Sequence, residues 1–380
     1  MNKLWKWLKR LIVTIVVLLL VAVIGTTILL QQPQFGAAPS EEEMVSLLES
    51  PQHTGEKFQN PGGITTTISF GKGLSLIPTM LSDEGEKSPT GSLPIHRLDW
   101  DSRSSLADTS TRVTWLGHSS FLLEMEGKTI LLDPMFGANA SPVGFMAERF
   151  PESLPITAEQ LPAVDLVLFS HDHYDHLDYP TILSIKDKVG QFLVPLGLGA
   201  HLQHWGVSKD KIIELDWWEE VTLLGLELAC TPSQHFSGRG LMDRDQTLWC
   251  SWVIHGKRKK IFFSGDSGYF GGFKKIGEKY GPFDLTLLEC GQYYTLWTEI
   301  HMLPEQTFQA NLDLKGKALM PIHWGTFQLA LHPWFEPVER LSVAANAQPN
   351  VPVVTPIIGQ SIELGTPLPQ EKWWREYMTQ

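Results

Sequence analysis

The nine residues Ser170-His171-Asp172-His173-Tyr174-Asp175-His176-Leu177-Asp178 concentrate three histidines and three carboxylates. They follow directly on an apolar run, Val164 to Phe169, that reads as a buried strand. A strand that stops and presents His-x-His-x-Asp-His on a loop is building a metal site. Imidazole nitrogen and carboxylate oxygen together suit zinc or another first-row divalent ion. Four ligands this close do not all reach one tetrahedral ion that keeps an open position, so two adjacent ions are the more economical reading.

Three later segments offer the same chemistry in the same setting. His235 stands in Thr231 to Arg239, Asp266 in Phe262 to Tyr269, and His323 in Met320 to Phe327, each on a loop after an apolar strand. Loops at strand ends, held by a rigid sheet, are where catalytic groups concentrate. His118 follows Gly117 near a strand end and reads as a structural hydrogen-bonding residue. Asp133 is either a support behind the ligands or a turn residue before Pro134. His53, His96, His201, His204, His255 and His332 have no partner pattern and read as surface or packing residues.

Stepping outward, strands are expected at Val113–Leu116, Ser120–Glu124, Thr129–Leu132, Val164–Phe169, Phe192–Pro195, Leu223–Cys230, Leu248–Ile254, Lys260–Phe263, Leu285–Leu288 and Ala318–Ile322. Helices are expected at Glu41–Leu48, Tyr179–Lys188, Gly272–Tyr280 and Pro304–Leu312. Strands alternating with helices imply a layered α/β architecture rather than an all-β barrel.

The chain has 380 residues, 43% of them hydrophobic, and a net charge of −12. Lys3, Lys6, Lys9 and Arg10 are the only charges in the first thirty positions; with them set aside, 26 basic residues face 42 acidic ones, a net −16. That balance argues against a nucleic-acid partner held by phosphate contacts. Cys230, Cys250 and Cys290 have no CxxC spacing and read as small buried hydrophobes, and nothing argues for a Cys230–Cys250 bridge. Residues 11–30 form an uncharged apolar run, long enough at ~1.5 Å per residue to cross a hydrocarbon core of about 30 Å. Trp5 and Trp7 lie where an interfacial belt belongs, and the four cations precede the run. The expectation is a retained single-pass anchor, with the N-terminus cytoplasmic and the catalytic domain on the opposite, extracytoplasmic (in a bacterium, periplasmic) side. A cleaved signal peptide is the alternative; its apolar region would run only ~7–15 residues.

The resulting division is a basic N-terminus (1–10), a transmembrane helix (11–30), a juxtamembrane tether (31–60), a loop-rich extension packed on the domain (61–110), a catalytic domain (111–365) and a C-terminal tail (366–380). The pairs Trp217-Trp218 and Trp373-Trp374 read as packing residues, with lipid contact as the alternative.

From about residue 55 to residue 345 the chain resembles the metallo-β-lactamase superfamily. Within it, the chain resembles the branch of N-acyl-phosphatidylethanolamine phospholipase D and its bacterial relatives. The segments that carry the resemblance are Trp115 to Ser120, Leu132 to Phe136, Ser170 to Asp178, Ser264 to Tyr269, Leu288 to Tyr293, Ile300 to Glu305 and Pro321 to Phe327. Leu288-Glu289-Cys290-Gly291 is closer to the bacterial relatives than to the animal lipase. The resemblance implies an αββα (αβ/βα) four-layer sandwich and two zinc ions, or another first-row metal. It implies that His171, His173 and His235 bind the first ion, that Asp175, His176 and His323 bind the second, and that Asp266 bridges them. Asp175, Asp266 and His301 would be the catalytic groups, with His301 orienting the phosphate or protonating the leaving alkoxide; His301 as a polar residue tied to a loop carbonyl is the alternative. Each ligand histidine should donate its other ring N–H to a supporting acceptor, with Asp172 and Asp178 as neighbours to consider.

The implied reaction is phosphodiester hydrolysis of a phospholipid, with two ions about 3.5–4 Å apart activating water and clamping the attacked and leaving oxygens. The rival enzymatic reading is hydrolysis of a lactone, an amide or a small phosphodiester. A third reading, a non-catalytic membrane scaffold, predicts missing ligands, whereas every expected position is filled.

Overall fold

In the computed structural model, residues 3–64, 85–100, 109–150 and 154–378 are described. Parts of the expected loop-rich extension, residues 65–84 and 101–108, lie outside them.

The apolar run sits inside one helix, α1 (Lys3–Leu30), with no buried side chain and a mean hydropathy of 3.0 over its most apolar 18-residue stretch. It is long and apolar enough to cross a membrane. Helix α2 (Glu41–Glu49) begins at a capping box: Ser40 accepts from the Glu43 N–H and Glu43 accepts from the Ser40 N–H. The expected tether is packed on the domain because it carries its own core residues, Leu47 and Phe58, both fully buried in the inter-sheet core.

The first sheet contains β1 (Thr111–Gly117), β2 (Ser120–Met125), β3 (Lys128–Leu132), β4 (Val164–Leu168), β5 (Val189–Pro195), β6 (Ile212–Leu215) and β13 (Ser361–Glu363), ordered β13-β1-β2-β3-β4-β5-β6. The second contains β7 (Glu220–Leu223), β8 (Leu226–Thr231), β9 (Ser251–His255), β10 (Lys260–Phe263), β11 (Leu285–Glu289) and β12 (Leu319–Ile322), ordered β12-β11-β10-β9-β8-β7. Helices α3 (Tyr179–Ile185) and α4 (Gly199–His204) accompany the first sheet. Helices α5 (Gly272–Lys279), α6 (Pro304–Asp313) and α7 (Glu336–Ala344) accompany the second.

Side-chain alternation explains the layering. On β2, Phe121 and Leu123 enter the core between the sheets and Leu122 the outer core with α3 and α4. On β10, Ile261 and Phe263 point inward, and Phe262 packs against Phe273 and Ile276 of α5. Sheets apolar on both faces need cover on both sides, and the result is the αββα sandwich.

Two expected strands differ. Leu223–Cys230 breaks into β7 and β8 at a two-residue hairpin, where Leu224 and Gly225 both have positive φ (58° and 84°). Leu248–Ile254 shortens to β9, because the Leu248 and Cys250 N–H groups donate to the Leu196 and Ser170 carbonyls rather than to a ladder partner. The three cysteines are buried and unbridged. Trp373 and Trp374, in the expected tail, are buried against Trp324, and Arg375 pairs with Glu339 at 2.6 Å. This segment closes the core.

Candidate metal centre

The loop after β4 is shaped by Asp133, at the end of β3. Asp133 has a positive φ (37°), as do His118 (52°) after β1 and His323 (69°) after β12. This conformation costs a non-glycine residue about 1–2 kcal/mol, and three residues beside the same cluster adopt it. The Asp133 carboxylate accepts from the Ser170 N–H (2.7 Å), the Ser170 hydroxyl and His176 Nδ1 (2.7 Å). Since the Ser170 hydroxyl gives its proton to Asp133, its oxygen accepts from His171 Nδ1 at 2.9 Å. His235 Nδ1 donates to the Ile300 carbonyl at 3.1 Å.

These bonds fix tautomers. His171 and His235 each spend the Nδ1 proton on an acceptor and turn Nε2 inward as a lone pair. His171 Nε2 lies 2.8 Å and His235 Nε2 3.1 Å from His173 Nδ1. One proton on His173 Nδ1 cannot satisfy both lone pairs in full. The second triad is equally tight: Asp175 Oδ2 lies 3.0 Å from His323 Nε2 and 3.4 Å from His176 Nε2. Asp266 stands between the triads, its Oδ2 3.1 Å from His323 Nε2, 3.2 Å from His176 Nε2, 3.8 Å from His235 Nε2 and 3.9 Å from His171 Nε2. The approach of its loop depends on Gly265 (φ 54°), where a Cβ would come within 2.4 Å of Ser170 Cβ.

All the residues expected as ligands therefore share one buried cluster, and the donor set fits metal. Asp266 Oδ1 and His176 Nε2 are buried without a hydrogen-bond partner. Burial opposes charge on His323, yet Asp266 and Asp175 lift it to about 10; the same carboxylates and Asp133 lift His176 well above its ordinary value. The carboxylates thus call for positive charge at this spot. Burial and neighbouring imidazoles push His171 well down, and burial does so for His235, which suits neutral ligands.

Of the acidic residues considered from sequence, Asp133 takes the supporting role and Asp172 and Asp178 do not. Asp172 accepts from the Gly238 N–H and the Thr247 hydroxyl, and Asp178 caps α3 through the Thr181 N–H. The carboxylate behind the ligands is Asp133. His118 does make a structural hydrogen bond, to Asp175 Oδ2 at 2.8 Å, and burial with His323 nearby pushes it down to about 3. His201 and His332 are buried, His332 stacking on Tyr293. Asn60 was missed altogether: its side chain accepts from the His235 N–H (3.0 Å) and donates to the His235 carbonyl (2.7 Å), pinning the backbone of a candidate ligand. No signal in its Pro- and Gly-rich surroundings marks it.

His301 lies at the rim, partly exposed, its ring centroid 5.2 Å from that of His323 and nearly parallel to it. Glu289, fully buried at the end of β11, lies behind it: Oε1 is 3.3 Å from His301 Nδ1 and Oε2 accepts from the Met302 N–H at 2.7 Å. A charged residue ending an apolar strand was the available signal for Glu289. The cluster floors a cleft of about 210 Å³ walled by Phe236, Gln292, Trp297, His301 and Leu329.

Residues 128–324 match the Beta-lactamase superfamily domain. A protein of Mycobacterium tuberculosis of uncharacterised function is 46% identical over 267 residues, 69% of this chain and 71% of its own. The N-acyl-phosphatidylethanolamine-hydrolyzing phospholipase D 1 of Caenorhabditis elegans is 31% identical over 318 residues, 78% of this chain and 89% of its own. A metallo hydrolase of the archaeon Ignicoccus hospitalis shares the fold, with a TM-score of 0.50 at 22% identity over 68% of this chain and 100% of its own. The chain belongs to the metallo-β-lactamase superfamily, as a metal-dependent hydrolase with relatives of the N-acyl-phosphatidylethanolamine phospholipase D type.

Proposed function

We propose that the protein is a membrane-anchored dinuclear zinc hydrolase that cleaves a phospholipid phosphodiester in the manner of a phospholipase D. Water oxygen bonds to phosphorus, the bond from phosphorus to the head-group oxygen breaks, and the head group leaves as its alcohol. In this reading His171, His173 and His235 would hold one ion and Asp175, His176 and His323 the other, with Asp266 within reach of both sets. The observation that carries it is the position of Asp266 Oδ2, within 3.1–3.9 Å of histidine nitrogens from both triads. Zinc, or another first-row divalent ion, would supply an activated water and stabilise charge on the phosphoryl oxygens.

The chain's own residues do the rest. Glu289 accepts from His301 Nδ1, which aims His301 Nε2 at the cleft. Protonated there, His301 gives its Nε2 proton to the leaving alkoxide. Phe236, Trp297 and Leu329 give the cleft apolar walls. Helix α1 keeps its basic end in the cytoplasm and holds the domain against the far side of the bilayer. The phospholipid preference takes its support from the Caenorhabditis elegans relative.

The cleft size favours one rival. At about 210 Å³ it lies below the ~300–1,000 Å³ common for small-molecule pockets, so it takes a phosphodiester and head group but not two acyl chains. A soluble phosphodiester, a lactone or an amide fits without further space. The test is metal-loaded protein assayed on vesicles of N-acylated phosphatidylethanolamine, a soluble phosphodiester and a lactone and amide panel, with Asp266→Asn and His323→Ala as blanks. Lipid turnover supports the first reading; turnover confined to soluble substrates replaces it with the second. No hydrolysis by protein with both ions bound leaves a scaffold.

A further inference from the structure

The loop after β3 exposes Phe145 (79%) and Met146 (54%), and the loop after β8 exposes Leu241 (71%) and Met242 (94%). Single exposed apolar residues need no explanation. Here they come as adjacent pairs on two loops, and both loops are fastened to the few residues that follow α1. Gln34 reaches both: its Nε2 donates to the Pro142 carbonyl (3.1 Å), and its own carbonyl accepts from Arg239 Nε (3.0 Å) and Nη2 (2.8 Å). On either side, the Pro33 carbonyl accepts from Trp205 Nε1 (2.7 Å) and the Ala37 N–H donates to His201 Nδ1 (3.1 Å).

Arg239 is buried, with its guanidinium over the Tyr174 ring at 4.1 Å and Nη1 donating to the Leu177 carbonyl at 2.8 Å. At Gly36 (φ 76°) a Cβ would come within 2.1 Å of His201 Nδ1, so the chain lies directly on the domain there. The connection from α1 is thus a clamp rather than a flexible linker. Leu30, the last residue of α1, lines one cavity of about 350 Å³ together with Phe35, Met44, Leu241 and Met242. The end of the helix and the second loop tip are therefore at the same level.

We propose that the catalytic domain is docked rigidly on the bilayer, with the Phe145-Met146 and Leu241-Met242 tips inserted among the lipids beside α1. This rests on α1 being a membrane anchor. Apolar residues beside a helix that ends in lipid have one medium at hand that removes them from water. The two loops leave the strand ends that also carry Asp133 and His235, so the docked bilayer lies along the edge of the sandwich that holds the metal cluster. Acyl chains too large for the cleft would then stay in the membrane while the head group enters.

The test uses the full chain in phosphatidylcholine–phosphatidylethanolamine vesicles, with an environment-sensitive fluorophore on single introduced cysteines. The native cysteines are buried, so labelling is confined to the new site. Labels go on Val16→Cys within α1, Phe145→Cys, Met242→Cys and Val343→Cys on α7, each with bound-metal content measured to report the native fold. The expected result is quenching by nitroxide-labelled lipids at 16, 145 and 242, and quenching only by aqueous iodide at 343. Lipid quenching at 16 with purely aqueous quenching at 145 and 242, or lipid quenching at 343, overturns the docking and leaves the anchor standing. An aqueous label at 16 removes the anchor and the docking together.

Discussion

The two ligand triads stand on different foundations. Behind His171 and His235 are neutral acceptors, the Ser170 hydroxyl and the Ile300 carbonyl. Behind the other triad are carboxylates, Asp133 on His176 and Glu289 Oε1 at 3.6 Å from His323 Nδ1, while a neutral His118 donates to Asp175. A neutral acceptor orients an imidazole; a carboxylate also makes it a stronger base and a stronger ligand. The first half is a nest of neutral lone pairs, and the second is a cage of charged groups. Among the candidate ligands Asp266 is the one shared by both triads, so its loss should be felt on both sides; loss of a support should be felt more on one, and Asp133, which holds His176 directly and His171 only through Ser170, belongs mainly to the second.

The largest effect is expected from Asp266→Asn. Turnover should fall on the order of 10³-fold or more, beyond the ~10²–10³ of removing one electrostatic stabiliser, and elemental analysis should find both positions depleted. Retention of both ions would dissolve the comparison, because nothing would then join the halves. Next come His171→Ala and His323→Ala, each expected to cut turnover by about 10²–10³-fold while removing one ion and leaving its neighbour. If either removes both, the triads are one cooperative unit.

Supports should discriminate more gently. Asp133→Asn is expected to weaken the second position by about 10–100-fold in a competitive chelator titration, and Ser170→Ala to weaken the first by less. Equal losses at both positions in each variant would erase the distinction between the halves. The smallest effect on catalysis is expected from Asn60→Ala. It strips buried bonds from the His235 backbone, costs about 1–3 kcal/mol of stability by denaturant titration, and touches only the first position. An unchanged unfolding midpoint would show that His235 is held by its own strand end.

The difference between the halves also explains what could be read in the sequence. The candidate ligands were legible because they follow apolar runs: His171 after Val164 to Phe169, Asp266 after Ile261 to Phe263, His323 after Leu319 to Ile322. The alternation that marks a strand also marks where it stops. The supports were less legible: Asp133 could be read only as one of two alternatives, and Glu289 and Asn60 meet their partners 12 and 175 positions away, through folding rather than spacing. The fold followed the same rule. Strands with uniform apolar texture, such as β10, were readable to the residue. The β7–β8 hairpin was merged because Leu223, Leu224 and Leu226 keep the apolar texture running through the turn. Strand β13, three residues long, is too short to stand out; helix α7, which buries Val338 and Leu341 at i, i+3 spacing after Pro337, carries a helical signal that the sequence reading missed.

The bond between Asn60 and His235 has a consequence for the order of events in synthesis. The two residues are 175 positions apart, and Asn60 is made first. At roughly 5–20 residues per second, about 9–35 s pass before its partner emerges. During that interval Leu47 and Phe58 have no core to enter, since strands β1 to β8 are still being made. The growing chain waits with these side chains exposed, and its candidate metal loop can settle only once β8 arrives.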